Sequence, residues 1–276
     1  MFPTRGAQGS MESALAEIEF LARSPNRVSV LRRLAEERHT RTDLVVATGA
    51  SQATLGRILR DFEERSWIER VDGGYAATAT GELVADGFFD LLDIVETETE
   101  LRPIVDYLPT DAIDVDLRRF GDATITVPSG TKPNAPVGRV LDLVGGASSV
   151  RAFSHAFNEG SLSVVERRVT AGELTFEGVF SRGAIDAVAD DEGLRRRLAS
   201  LLDAPGASLR VRPAEIPLAV TVADDTVHLL LRDANGVLQA SVDTDDPVVH
   251  DWAQGRFERY WEEAVALGDD DIGAGR

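Results

Sequence analysis

Residues 51–75 read SQATLGRILRDFEERSWIERVDGGY, and two periodicities meet inside them. Leu55, Ile58, Leu59 and Phe62 fall at i, i+3, i+4 and i+7, the spacing of a single apolar stripe on a helix. Ser51 is suited to cap that helix at its N-terminus. From Trp67 the period becomes two. Trp67-Ile68-Glu69-Arg70-Val71 alternates, Asp72-Gly73-Gly74 reads as a hairpin turn, and Tyr75-Ala76-Ala77 returns. The four apolar residues point into a core. Gln52, Ala53, Thr54, Gly56, Arg57 and Arg60 are left facing mostly outward, with no acid before Asp61.

Upstream, Leu15, Ile18, Leu21 and Ala22 lie at helical spacing. Ser24-Pro25 opens a second helix, with serine as cap and proline in the first turn, and Val28, Leu31, Leu34 and Ala35 carry its apolar face. A shorter helix runs from about Arg41 to Thr48 and is stopped by Gly49. Helix, helix, turn, helix and a small hairpin is the element order of a winged helix-turn-helix. That order suits DNA, because a short helix braces a second one whose polar face enters the major groove while the hairpin follows the backbone. Glutamine pairs bidentately with adenine and arginine with guanine, which makes Gln52 and Arg57 the base-reading candidates. Thr42, Ser51, Thr54, Arg60 and Arg70, with Gly73 and Tyr75 of the wing, are placed to hold phosphates and set register. The same helices and hairpin also suit a protein-interaction module, and an arginine on a helix face is commonly just solvated.

The charge frames that choice. The 276 residues carry 47 Asp and Glu against 29 basic residues, a net −18, and the only lysine is Lys132. Acids spread through a folded chain suggest adaptation to a salty cytoplasm, where self-repulsion is screened within about 3 Å at 1 M salt. GC-rich codon usage is the bland alternative. Residues 12–86 hold 10 Arg and 13 acids, so this segment is nearly neutral inside an acidic protein, as contact with a polyanion would favour. The hydrophobic fraction of 43% is that of a folded protein, no run approaches a membrane span, and MFPTRGAQGS lacks the apolar region of a secretory signal. With no cysteine there is no disulfide, thiolate metal site or cysteine nucleophile. The reading is a cytoplasmic protein with no membrane partner.

Beyond Thr80 a helix continues, with Val84, Phe88, Leu91 and Val95 spaced 4, 3, 4 as a short heptad seam. The acidic run Glu96–Glu100 and Pro103 interrupt it, and Leu101, Ile104 and Leu108 resume on a shifted phase. Such a seam either packs on its own chain or makes a homodimer, and a dimer fits two half-sites one helical turn apart. The remainder alternates strand and helix: strands at 123–127, 149–153, 174–180, 209–212, 218–222, 227–232 and 237–242, and helices at 137–144, 162–171, 185–202 (broken near Asp191–Gly193) and 246–266. Asn235-Gly236 marks the last hairpin. The implied architecture is a two-domain α/β chain, a winged helix-turn-helix followed by a linker helix and an α/β sandwich with a mixed sheet. The boundaries are 1–11 flexible N-terminus (with Met11 a plausible alternative start), 12–80 winged helix, 81–109 linker and dimerisation helix, 110–268 sensor and 269–276 flexible acidic tail.

Between Glu17 and Gly81 the chain resembles the winged-helix domain of haloarchaeal regulators related to the ArsR and TrmB groups. The residues that carry this are the opening EIEFLARSPNRVSVLRRL, the unit TGASQATLGRILRDFEERSWIER and the wing exit GGYAATATG. Ser66 stands where those regulators commonly have glycine. Val150–His155, Leu231-Arg232-Asp233 with Gly236, Thr244–Pro247, and Trp252, Phe257, Glu258, Tyr260 and Trp261 resemble the FilR-type middle domain and, more loosely, the phospholipase-D-like sensor of TrmB proteins. The resemblance implies promoter DNA binding biased by an effector, without supplying the effector.

Catalysis is not expected. Phospholipase-D chemistry needs a lysine two residues after the histidine, and His155 is followed by Ala156 and Phe157. His39, His155, His228 and His250 are scattered without ligand spacing, so no metal or other cofactor is expected. Ser129-Gly130-Thr131-Lys132 lacks the preceding glycine of a phosphate loop and reads as a surface turn. An effector pocket is expected at the carboxyl ends of the strands. There Arg151, Ser154 and His155 with Ser181 and Arg182 suit a small anionic metabolite. A satisfied buried histidine among solvated arginines is the alternative. The whole reads as a one-component transcriptional regulator, or else as an adaptor for another protein of the transcription machinery.

Overall fold

Ser24 separates the first two helices, α1 (Arg5–Ala22) and α2 (Pro25–Glu36), and its side chain accepts the Arg27 N–H at the start of α2. The computed structural model describes residues 5–268, 271 and 272, and divides the chain into two units, Met1–Val95 and Glu96–Arg276. Helix α3 (Arg41–Thr48) begins at a reciprocal capping box between Thr40 and Asp43 and ends at Gly49, whose φ of 66° is the left-handed conformation that stops a helix. Helix α4 (Gln52–Glu64) is capped by Ser51. Strands β1 (Ile68–Val71) and β2 (Gly74–Ala77) pair antiparallel with Val71 opposite Gly74. The turn between them has φ of 46° at Asp72 and 79° at Gly73, the double positive φ of a tight hairpin. His39 forms an isolated bridge to the wing, exchanging both backbone hydrogen bonds with Tyr75.

These elements close over one core of Leu21, Leu31, Leu34, Leu44, Leu55, Ile58, Leu59, Phe62 and Trp67. Helix α5 (Ala79–Leu101) leaves the wing at a very close approach: a Cβ on Gly81 would lie 1.8 Å from the Trp67 carbonyl oxygen, so only glycine fits. The seam of four divides. Phe88 is buried in the core of its own unit and Val84 packs against it, whereas Leu91 and Val95 are 42% and 49% exposed. Residues 5–11, expected flexible, belong to α1, while residues 1–4 lie outside the described residues. In the expected tail Asp271 pairs with Arg182 at 2.8 Å and Ile272 is buried, the rest lying outside the described residues.

In the second unit Leu101, Ile104 and Leu108 are buried, and single 3-10 turns occupy Val105–Tyr107 and Leu117–Phe120. Then come β3 (Thr124–Thr126), α6 (Ala135–Gly146), β4 (Ser149–Ser154), α7 (Glu159–Thr170), β5 (Thr175–Ser181), α8 (Arg182–Ala189) and α9 (Glu192–Leu202). Strands β6 (Ala207–Arg212), β7 (Ala219–Ala223), β8 (Thr226–Arg232) and β9 (Leu238–Thr244) follow, then α10 (Pro247–Glu263) and β10 (Val265–Ala266). Among the described residues these eight strands form one mixed sheet in the order β10-β6-β5-β4-β7-β8-β9-β3, parallel across β4, β5 and β6 and antiparallel elsewhere. Strand alternation sorts its faces: Val150, Ala152, Phe176 and Phe180 pack under α6 to α9, and Phe153, Val179, Leu229 and Leu231 pack under α10. The last hairpin is longer than an Asn-Gly turn. Asp233 accepts the N–H groups of both Asn235 and Val237, Gly236 takes a φ of 77°, and the register shifts at Leu231/Arg232.

A charged cluster lies among the buried polar side chains of this sheet. Asp243, 4% exposed, accepts from Arg139 Nε at 2.6 Å and lies 2.5 Å from His228 Nδ1. Burial alone would push its carboxyl up, but the hydrogen bonds from His228 and Arg139 outweigh it and hold the carboxyl below its ordinary value. A depressed carboxyl stabilises the fold fully above pH ~4 and loses that contribution as pH falls through its folded value. Asp243→Asn is therefore expected to lower stability at pH 7 by about 2 kcal/mol, below the full cost of breaking a buried pair because Arg139 is 40% exposed. In denaturant titrations the gap between variant and parent should narrow below pH 4, and a constant gap would refute the assignment. In the first unit Ser66 has a φ of 57°. Ser66→Gly should raise stability by about 1 kcal/mol and Gly81→Ala should lower it by about 3 kcal/mol, read from hydrogen exchange of the α4 amides.

Candidate nucleic-acid interface and effector pocket

Because Leu55, Ile58, Leu59 and Phe62 face inward, the opposite face of α4 is a strip of Gln52, Ala53, Arg57 and Arg60, all exposed. Among the described residues Arg57 and Arg60 have no hydrogen bond or ion pair, so both guanidinium groups are available. The acids of α4 stand at its far end, where Asp61 pairs with Arg27 and Glu63 with Arg70. This face therefore combines two free cations, Arg57 in the N-terminal half and Arg60 just beyond the middle, with the positive end of the helix dipole at Gln52, a favourable setting for phosphate.

The remaining expected contacts fall into three groups. Ser51 and Thr54 satisfy one another, with Ser51 Oγ 2.9 Å from Thr54 Oγ1 and accepting the Thr54 N–H. Thr42 is exposed on α3. In the wing, Gly73 forms the turn, Tyr75 is half-buried, and Arg70 is held by Glu63 at 2.7 Å over the Tyr75 ring. Arg70 is thus already neutralised, unlike Arg57 and Arg60.

Arg41 was not singled out by the sequence and lies across the start of α4. Its Nε donates to Gln52 Oε1 at 3.0 Å and its Nη2 to the Gln52 carbonyl at 2.8 Å. A Cβ on Gly56 would lie 2.7 Å from the same guanidinium. Gln52, the adenine-reading candidate, is therefore oriented by Arg41, and Gly56 leaves the room that Arg41 occupies. The legible signal was a glycine in the exposed face of an otherwise well-formed helix. Arg38, also unflagged, donates to the Asp72 carbonyl at 2.8 Å and pins the wing tip.

The effector candidates do not all converge. Arg151 donates to Glu177 and Gln254, both at 2.8 Å, and stands over Phe257 on the α10 face. Ser154 donates to the Ala156 carbonyl and lines a cavity under α6 and α7. Only His155, Ser181 and Arg182 meet, in a cleft of about 420 Å³ with Glu215 on its wall. There Ser181 caps α8 and Arg182 pairs with Asp271. A second cleft of about 500 Å³ shares His155 and adds Arg232, whose buried Nε has no hydrogen-bond partner. Arg232 is the cation the sequence reading did not place here, although a charged residue ending the buried alternation of β8 was its mark. Burial first, and the Arg232 charge second, push the His155 imidazole below its ordinary value. His155 should therefore titrate with a midpoint below ~6.5 in a histidine-resolved NMR titration, and Arg232→Ala should move that midpoint upward. A midpoint at or above the ordinary value would refute this geometry.

Residues 15–100 match the family model described as the HVO_A0261 N-terminal domain, and residues 133–263 match the one described as the middle domain of the methanogenesis regulatory protein FilR1. No curated protein matches the chain. Among solved structures, TrmBL2, an archaeal chromatin protein with a novel mode of DNA binding, is 14% identical with a TM-score of 0.41, over 91% of this chain and 98% of its own. The phospholipase D family member Nuc from Salmonella typhimurium is 15% identical with a TM-score of 0.42, over 52% of this chain and 98% of its own. NucT from Helicobacter pylori stands at 13% and 0.42, over the same shares of the two chains. These structural likenesses are loose.

Proposed function

We propose that this chain, which carries an HVO_A0261-type N-terminal domain and a FilR1-type middle domain, is a transcriptional regulator that binds promoter DNA as a homodimer and answers to a ligand in its second unit. The observation that carries the reading is the exposed face of α4: unpaired Arg57 and Arg60, Gln52 oriented by Arg41, and no acid before Asp61. Every apolar residue of α4's stripe is committed to the core, so this face is what the helix offers a partner. Its cations are consistent with a polyanion even though the chain as a whole is acidic. For the dimer, Leu91 and Val95 with Ile94 remain exposed on α5, as do Met11, Leu15 and Ile18 at i, i+4 and i+7 on α1. For the ligand, Arg232 and His155 beside Arg182 suit a small anionic metabolite, which would compete with Asp271 for Arg182.

The deciding measurement is binding to labelled fragments of the protein's own upstream region in molar KCl, with competitor DNA. Arg57→Ala is expected to cost about 1–3 kcal/mol and relax discrimination at one base pair, while Arg60→Ala weakens all sequences alike. Gly56→Ala, which displaces Arg41, should lower selectivity more than affinity. Should the folded dimer fail to bind DNA with or without cell-extract metabolites, and instead retain a transcription protein unaffected by these substitutions, the adaptor reading replaces this one.

A further inference from the structure

Beneath α6 and α7 the sheet borders a partly open cavity of about 90 Å³ that is separate from the two clefts at His155. Its wall is mainly aliphatic and aromatic, with Val140, Val150, Leu162 and Phe176 among the lining residues. Two of its polar side chains are committed: Ser154 bonds the Ala156 carbonyl, and Asn158 accepts the Ser161 N–H as the cap of α7. Ser161 and Thr221 line it while partly exposed, and the most deeply buried of its polar side chains is His228. It lines the cavity at 1% exposure, its Nδ1 lies 2.5 Å from Asp243, and its buried Nε2 has no hydrogen-bond partner.

The chemistry of that nitrogen follows from its neighbours. Asp243 already accepts from Arg139 and is a carboxylate, so it also accepts from His228 and Nδ1 carries the hydrogen. Among the described residues Nε2 has no acceptor within hydrogen-bond reach, so a hydrogen there would be left buried and unbonded, and the nitrogen instead presents its lone pair to the cavity. Arg139 and Asp243 cancel each other's charge, which leaves no net charge there to attract an ion. A matching ligand is neutral, apolar over most of its surface, and donates one hydrogen bond. Scaled against the ~150 Å³ of a cavity that accepts the six carbons of benzene, this space takes roughly four non-hydrogen atoms, and its open side leaves room for a fifth.

We propose that the second unit holds a site for a small neutral alcohol, its hydroxyl donating to His228 Nε2 and its alkyl part packed among Val140, Val150, Leu162 and Phe176. The site is independent of the anion-binding clefts and of DNA binding, so it stands or falls apart from those readings. An alcohol there would fill space between α6, α7 and the sheet and stiffen their packing.

The test is titration of the full chain with 1-butanol, read from the His228 ring-nitrogen resonances and from the unfolding temperature. Methyl propyl ether, an isomer that cannot donate, and butyrate, an anion of like size, are the comparison probes. Saturable 1-butanol binding that moves the Nε2 resonance, with the ether at least ten-fold weaker and butyrate without effect, is the expected result. Ala152→Leu, which fills the cavity without touching the His228 pair, should abolish it. His228→Phe should bind 1-butanol no better than the parent binds the ether. If that variant does not fold, the parent's Nε2 resonance and Ala152→Leu decide. Equal binding of alcohol and ether, stronger binding of butyrate, or full binding by Ala152→Leu would each overturn the proposal, as would an Nε2 resonance unmoved by 1-butanol.

Discussion

Leu55, Ile58, Leu59 and Phe62 are each no more than 2% exposed, and their burial fixes the rotation of α4 about its own axis. A helix with one stripe locked into a core has no freedom in what it shows on the other side. Gln52, Arg57 and Arg60 are therefore presented outward by packing. Ser51 fixes where the helix starts, and Gly49 fixes the turn that brings α3 against it. The wing depends on the same core, because Trp67 packs on Phe62 and Phe20 before the chain turns at Asp72-Gly73.

The second unit obeys a related constraint in two directions at once. Its sheet is covered on both faces, so successive residues of β4 and β5 enter different cores. In such a sheet a polar side chain is tolerated only with its bonds made. Arg139 and Asp243 meet that condition by pairing across α6 and β9, and His228 on β8 meets it at Nδ1 only, which places an imidazole with an unbonded Nε2 within an apolar wall. Arg151 meets it differently, by turning to Glu177 and Gln254, and this removes it from the strand-end clefts.

Most of the element order was legible because the local signals agree with one another. Ser24-Pro25, Arg41–Gly49 and Ser51 each pair a cap with an apolar period, and all three helices lie where those marks put them. The seam Val84-Phe88-Leu91-Val95 was less informative, since spacing defines a face of a helix and not what covers it. Phe88 enters its own core while Leu91 stays exposed. The strand-end set was read from chain position, but side chains alternate in direction along a strand. Hence Ser154 leaves the group that His155, Ser181 and Arg182 form, Arg151 is held further down the strand by Glu177 and Gln254, and Arg232 comes beside His155 from a strand distant in sequence.

By itself the sequence determined the winged helix-turn-helix, the alternation of strands and helices in the second unit, and the outward face of α4, because periodicity, caps and turn residues are local. Tertiary structure alone decided which of those outward groups are free. Arg57 and Arg60 remain unpaired, Arg70 is held by Glu63, and Gln52 is oriented by an arginine eleven residues earlier. It also decided that His228 meets Asp243 and Arg139, the arginine more than a hundred residues from its carboxylate. Pairings of that kind depend on how strands and helices are laid side by side, which no local pattern encodes.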